Sequence, residues 1–189
     1  MYRLAFFASG SGTNVQNICE YFHSHNSIIP VVIFSDREDS FVLERAKNLN
    51  IKSEFFNYVN TTPENLLERL NKHKITHIIL AGYLRLIPSE IIKSFKNKIF
   101  NIHPSLLPKF GGKGFYGHHV HKSVLDSKEK KSGITIHLVN EIYDGGRVLF
   151  QESTPVYDHD DIHSLSSRIH DLEYKYYPLI IEKYLLNQL

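Results

Sequence analysis

The sequence predicts one α/β domain over residues 1–189, built on a doubly wound, mainly parallel sheet. Two observations lead there. Short apolar runs of strand length alternate with stretches of helical period along the chain, the pattern of a parallel sheet covered by helices on both faces. In addition, the polar segments at 9–14, 82–87 and 101–108 each follow a strand-like run, and open parallel sheets take their ligands at such positions. The apolar share of 42% and charged share of 22% are ordinary for a globular chain, which speaks against disorder or a fibrous repeat.

Leu4 to Phe7 forms the first expected strand and ends in Ala8-Ser9-Gly10-Ser11-Gly12-Thr13-Asn14. Val15, Ile18, Cys19 and Phe22 then recur at helical spacing. Ile28 to Phe34 is a second strand, although Pro30 cannot donate to a sheet ladder. Phe41 to Leu49 is helical, and Lys52 to Phe56 is a weaker third strand. Thr62 as N-cap and Pro63 at the first helical position open a helix to His73, with Leu66, Leu67 and Leu70 as its apolar side. His77 to Ala81 is a strand, Pro88 to Phe95 a helix, and Ile99 to Ile102 a strand leading into a polar stretch up to Gly117. His118 to Ser127 is helical. Ile134 to Val139 and Val148 to Ser153 are two strands joined by Asn140 to Arg147. A long helical pattern from Ile162 to Leu186 follows, with an interruption expected at Pro178.

The charge balance points to small-molecule partners. Lys and Arg number 22 against 20 Asp and Glu and are scattered, whereas a nucleic-acid binder concentrates them in a stripe. No apolar run approaches the roughly 20 residues of a membrane span. Cys19 is the only cysteine, so no internal disulfide forms, and its place in a helical pattern suits a small buried hydrophobe. The chain opens with a strand-like run rather than a basic stretch and a signal core. Cytoplasmic residence, no nucleic acid and no membrane are expected, in a monomer or weak homodimer.

Three segments could carry chemistry. Gly10 and Gly12 permit a tight turn into a helix whose unpaired N–H groups suit a phosphate. Asp36 stands where the ribose-binding acid of a dinucleotide site would stand, but position 15 is Val, so the third small residue is missing, and no Lys makes a Walker loop. Ser11, Thr13 and Asn14 add polar groups fit for a phosphate monoester; a plain strand-to-helix turn is the bland alternative. In the second segment, Asn101 and His103 share one face of a strand. An amide that can bond an oxyanion, beside an imidazole that can move a proton, is a useful pair for acyl transfer, though a structural pair at a strand end has the same pattern. In the third, Asp144-Gly145-Gly146 suits either close backbone approach or a hairpin turn. His118, His119 and His121 carry no cysteine or nearby carboxylate to complete a metal site, so no metal is expected.

Together these segments resemble the phosphoribosylglycinamide formyltransferases, almost from end to end. The carriers are SGSGTNVQNI at 9–18, LAGYLRLI at 80–87, NIHPSLLPKF at 101–110, GITIHLVNEIYDGG at 133–146 and EYKYYPLI at 173–180. The resemblance implies a Rossmann-like formyltransferase fold and transfer of a formyl group from 10-formyltetrahydrofolate, as co-substrate, to the amine of 5-phosphoribosylglycinamide in purine biosynthesis. It implies a catalytic trio of Asn101, His103 and Asp144, and a substrate-phosphate loop of Ser11, Gly12, Thr13 and Asn14. Glu173 would contact the ribonucleotide, and Leu84, Arg85, Leu86, Ile87, Asn140 and Glu141 the folate. The segment Gly111–His119 is longer than the common family pattern, so no role is carried onto it. The alternatives are another folate formyltransferase or deformylase of the same fold, and a noncatalytic nucleotide-binding module.

Overall fold

The computed structural model describes residues Met1–Leu189. The elements follow in the order β1 (Tyr2–Phe7), α1 (Thr13–Tyr21), β2 (Ile28–Ser35), α2 (Phe41–Asn48), β3 (Lys52–Phe55), α3 (Pro63–Lys72), β4 (His77–Leu80), α4 (Ser89–Ser94), β5 (Ile99–His103), α5 (His118–Asp126), β6 (Lys131–Leu138), β7 (Val148–Pro155) and α6 (Ile162–Leu185). The strands make one sheet in the order β3-β2-β1-β4-β5-β6-β7. The chain contacts cluster into two compact units, Met1–Phe100 and Asn101–Leu189.

In the first unit β1 lies between β2 and β4 and pairs with both in parallel. A parallel strand covered on both faces reads as an unbroken apolar run, and Leu4, Ala5, Phe6 and Phe7 are all fully buried. Phe7 stacks on Phe34 at 5.1 Å between centroids and meets Phe56 and Tyr83 edge to face. Pro30 does lie within β2, at an irregularity: Leu4 pairs with Pro30, but Ala5 pairs with Val32. On the other side β3 begins its pairing only at Val32, so the missing N–H of Pro30 falls outside that ladder. Thr62 caps α3 as its sequence indicates, accepting from the Asn65 amide at 3.3 Å.

In the second unit β6 and β7 pair antiparallel, unlike the parallel pairs β1–β2, β1–β4 and β2–β3 of the first unit. Asp161 and Ser164 form a capping box at the start of α6. The interruption expected at Pro178 does not occur: α6 runs unbroken to Leu185 with Pro178 inside it. An interior proline costs a helix roughly 3 kcal/mol. Tyr177, Pro178, Ile180, Ile181 and Leu185 are buried around it, and each fully buried large apolar side chain contributes about 1.5–3 kcal/mol. Packing therefore outweighs the local penalty.

Candidate active site

The glycine loop is a backbone construction. Ser9, buried at the end of β1, donates its N–H to Gly82 O at 3.0 Å. Gly12 is the N-cap of α1 with φ +75°, and it has no side chain to make a cap hydrogen bond. Gly12 has a second job that its motif does not reveal. A Cβ built there would stand 2.2 Å from Val42 Cγ2, while Val42 N donates to Gly10 O at 3.1 Å. The start of α2 thus sits directly on the loop, and Gly12 is required by packing whether or not a phosphate binds. Arg45 also escaped sequence reasoning. Its Nε donates to Ser11 O at 2.8 Å, an Nη–H donates to the Gln16 carboxamide, and the guanidinium lies 4.9 Å over the Phe41 ring. The available signal was Phe41 and Arg45 at i, i+4 on one helix. Asp36, the residue that kept a dinucleotide reading open, has one carboxylate oxygen on Arg85 Nε at 3.2 Å.

The second unit gathers side chains instead. Asn101 and His103 project from one face of β5, and His103 is 4% exposed. Asp144 reaches them from the β6–β7 connection, with its Oδ2 3.5 Å from His103 Nδ1. The same Oδ2 accepts from the Gly112 amide at 2.9 Å. The sequence reading missed a fourth member, His137 of β6. Its Nε2 lies 3.1 Å from Asn101 Nδ2 and 3.6 Å from Asp144 Oδ1. Its place in β6, two positions from Thr135 and so on the same strand face, was the available hint.

Backbone partners settle which ring nitrogens carry hydrogen. His137 Nδ1 faces Leu138 O at 3.0 Å and must donate to it. Its Nε2 lies between the Asn101 amide and the Asp144 carboxylate. His103 Nε2 donates to Phe110 O at 2.8 Å, which leaves the Nδ1 lone pair toward Asp144. Burial pushes the His103 pKa down, against the opposing pull of Asp144 and the Phe110 bond; the neighbouring His137 adds to the downward push. For Asp144, burial pushes upward, but His137, His103 and the Gly112 amide together hold it below the ordinary carboxylate value. A neutral imidazole therefore faces an ionised carboxylate.

The Asp144 segment is both things its sequence allowed: a hairpin connection and a close approach. Gly146 lies so near the end of β6 that a Cβ there would overlap Leu138 O, and Asp144 itself has φ +52°. Asn140 braces the same turn, donating to Gly145 O at 3.1 Å and accepting from Ile142 N at 3.0 Å. Glu141 is exposed on it. Glu173 is buried on α6. In the first unit, Leu84 and Leu86 stand exposed and Ile87 is buried. Among the helical histidines, His121 turns inward at 2% exposure, and no group of three or more His, Cys, Asp or Glu side chains is arranged to hold a metal ion.

The first unit ends its first strand in a glycine loop, and the second gathers an amide, two imidazoles and a carboxylate, groups of the kind that acyl transfer uses. Residues 2–181 match the formyl transferase family, and the chain belongs to it. It is 39% identical over 188 residues to the chloroplastic phosphoribosylglycinamide formyltransferase of Vigna unguiculata, covering 95% of this chain and 60% of that protein. The chain thus spans less than two thirds of the plant relatives' length. Against the phosphoribosylglycinamide formyltransferase of Bacillus subtilis it is 35% identical, covering 98% of this chain and 95% of the relative. The crystal structure of the Streptococcus pneumoniae phosphoribosylglycinamide formyltransferase superposes with a TM-score of 0.86 at 34% identity, over 98% of this chain and 99% of that one.

Proposed function

We propose that this chain transfers the formyl group of 10-formyltetrahydrofolate to the amine of 5-phosphoribosylglycinamide, a step of purine biosynthesis, and that residues 1–189 act as one formyltransferase domain. The observation that carries the reading is the set of Asn101, His103, His137 and Asp144, an amide, two buried imidazoles and a carboxylate within 3.6 Å of one another in successive contacts.

In this reading the neutral amine attacks the formyl carbon and its carbonyl oxygen becomes an oxyanion. Asn101 Nδ2 lies 3.1 Å from His137 Nε2, a contact that holds the amide in place, and an amide N–H meets that oxyanion. The amine loses a proton, the bond from the formyl carbon to N10 breaks, and N10 gains a proton. His103, held neutral, is the group that takes and returns the proton; Asp144, 3.5 Å away, stabilises the imidazolium while it lasts. No step calls for a metal. Ser11, Gly12, Thr13 and Asn14 receive the ribonucleotide phosphate on backbone N–H groups at the start of α1, and Glu173 meets the ribonucleotide. Leu84, Arg85, Leu86, Ile87, Asn140 and Glu141 receive the folate. The single buried Cys19 suits a reducing compartment, and the reading places the enzyme in the cytoplasm.

The test is product analysis with 10-formyltetrahydrofolate and each acceptor in turn. Formylglycinamide ribonucleotide is expected only when both substrates are present. Steady deformylation with water alone would assign the chain to the hydrolases of the same fold, and no turnover with any acceptor would leave a binding module.

A further inference from the structure

Residues 84–87 belong to no helix or strand, so main-chain ladders do not hold them in shape. Side chains from three other segments of the same unit do. Ser9 Oγ accepts from the Leu84 amide at 3.0 Å. The Tyr58 hydroxyl donates to Leu86 O at 3.2 Å. Between these ties the Arg85 side chain is caught twice: its Nε donates to Asp36 Oδ2 at 3.2 Å, and its guanidinium lies 5.4 Å over the Tyr58 ring.

The ion pair is unequal. The Asp36 side chain is 2% exposed while that of Arg85 is 56% exposed, and Asp36 Oδ1 is buried with no hydrogen-bond partner. A carboxylate withdrawn from water needs a cation held against it. An exposed arginine, by contrast, gains little from pairing and ordinarily samples many rotamers. The need therefore lies with Asp36, and the consequence is that Arg85 is kept in one place. Burial, followed by the Asp36 charge, pushes the neighbouring Tyr83 phenol up, so Tyr83 stays neutral in its edge-to-face contact with Phe7. Tyr58 is itself anchored, because Asn57 Oδ1 accepts from the amides of Val59 and Asn60 at 3.0 and 3.1 Å. All of this order surrounds a segment whose Leu84 and Leu86 side chains remain 47% and 37% exposed.

We propose that Tyr58 and Asp36 are positioning residues for the folate co-substrate: they set the backbone of Leu84–Leu86 and the guanidinium of Arg85 in a receiving geometry before the ligand arrives. The proposal rests on the assignment of Leu84–Ile87 to the folate. Preorganisation of this kind raises affinity by removing the ordering penalty of binding.

The experiment is a series at Tyr58, whose loop is exposed, with 10-formyltetrahydrofolate titrated by calorimetry and both KM values measured in the full chain. Tyr58→Phe loses only the bond to Leu86 and is expected to raise the folate Kd about 2- to 10-fold, the effect of one neutral hydrogen bond. Tyr58→Leu also loses the face under Arg85 and is expected to bind folate more weakly again, about 5- to 50-fold below wild type. Asp36→Asn should raise the folate KM as well, while Val59→Ser on the same loop should change nothing. In every case the KM for the ribonucleotide and the Tm should stay at wild-type values, which a general structural role would not produce. Wild-type folate affinity in Tyr58→Leu, or equal weakening of both substrates, overturns the proposal. Should Asp36→Asn fail to fold, the Tyr58 series decides alone. A wild-type chain that binds no folate overturns the proposed function and this inference together; a wild type that binds, beside a Tyr58→Leu variant that binds equally well, overturns only the inference.

Discussion

The loop from Ser9 to Asn14 and the cluster around His103 do their work with different materials. The loop offers amides at the start of α1, turned by a glycine with φ +75° and laid against Val42. It holds no titratable side chain. The cluster offers an amide, two imidazoles and a carboxylate, brought in from β5, β6 and the β6–β7 connection, with both imidazoles buried. A site made of backbone cannot be altered without altering the path of the chain, so function and folding are entangled there. A site made of side chains can be altered one group at a time within an intact fold, and its working state depends on protonation.

The largest effects should come from the cluster. His103→Ala and Asp144→Ala are each expected to lower kcat by about 10²–10⁴-fold, and Asn101→Ala by about 10²–10³-fold. Circular dichroism and Tm should remain close to wild type. The three changes should combine far less than additively, because they disable one unit of chemistry. A triple variant with near wild-type kcat would break the comparison at its functional end.

The loop should respond in stability instead. Gly12→Ala forces a β-carbon into a left-handed position and against Val42, and strain plus overlap should destabilise the fold by roughly 2–4 kcal/mol. Urea denaturation of the variant reads this directly. The double variant with Val42→Ala should recover part of the loss, since Val42 Cγ2 is the nearest atom at 2.2 Å. Gly12→Ala with an unchanged midpoint would show that the loop tolerates a side chain and that phosphate binding alone explains the glycine. It also follows that substitution of Gly12 is a poor probe of phosphate affinity.

The smallest effect concerns pH, and it arises in both units. His77 and His121 are each pushed down to about 4, first by burial and then by nearby charge: Lys98 for His77, and His170, His103 and His118 for His121. In the unfolded chain such a ring takes up its proton near 6.5. As pH falls below that value the unfolded state binds protons that the native state refuses, so stability is full above about 6.5 and declines toward 4. Between pH 7 and 5 each ring should account for about 1–2 kcal/mol. Replacing His121, whose buried Nδ1 has no partner, by Phe should flatten the pH dependence of the urea midpoint. An equally steep dependence in that variant would remove His121 from the account.

What the sequence alone determined is local. Strand and helix identities follow from the spacing of apolar residues, the start of α3 from Thr62 and Pro63, and the shared face of Asn101 and His103 from strand alternation. Each of these rests on residues within a few positions of one another, where covalent geometry dictates direction. Tertiary structure decided the rest. It carried α6 through Pro178, because buried neighbours outweigh one missing hydrogen bond. It placed His137 against Asn101 and Asp144, made Gly12 a packing necessity, set Arg45 on Ser11, and committed Asp36 to Arg85. Those contacts join residues far apart in the chain, and the energy that selects them, burial and the pairing of buried polar groups, depends on which elements meet. No local pattern encodes that meeting.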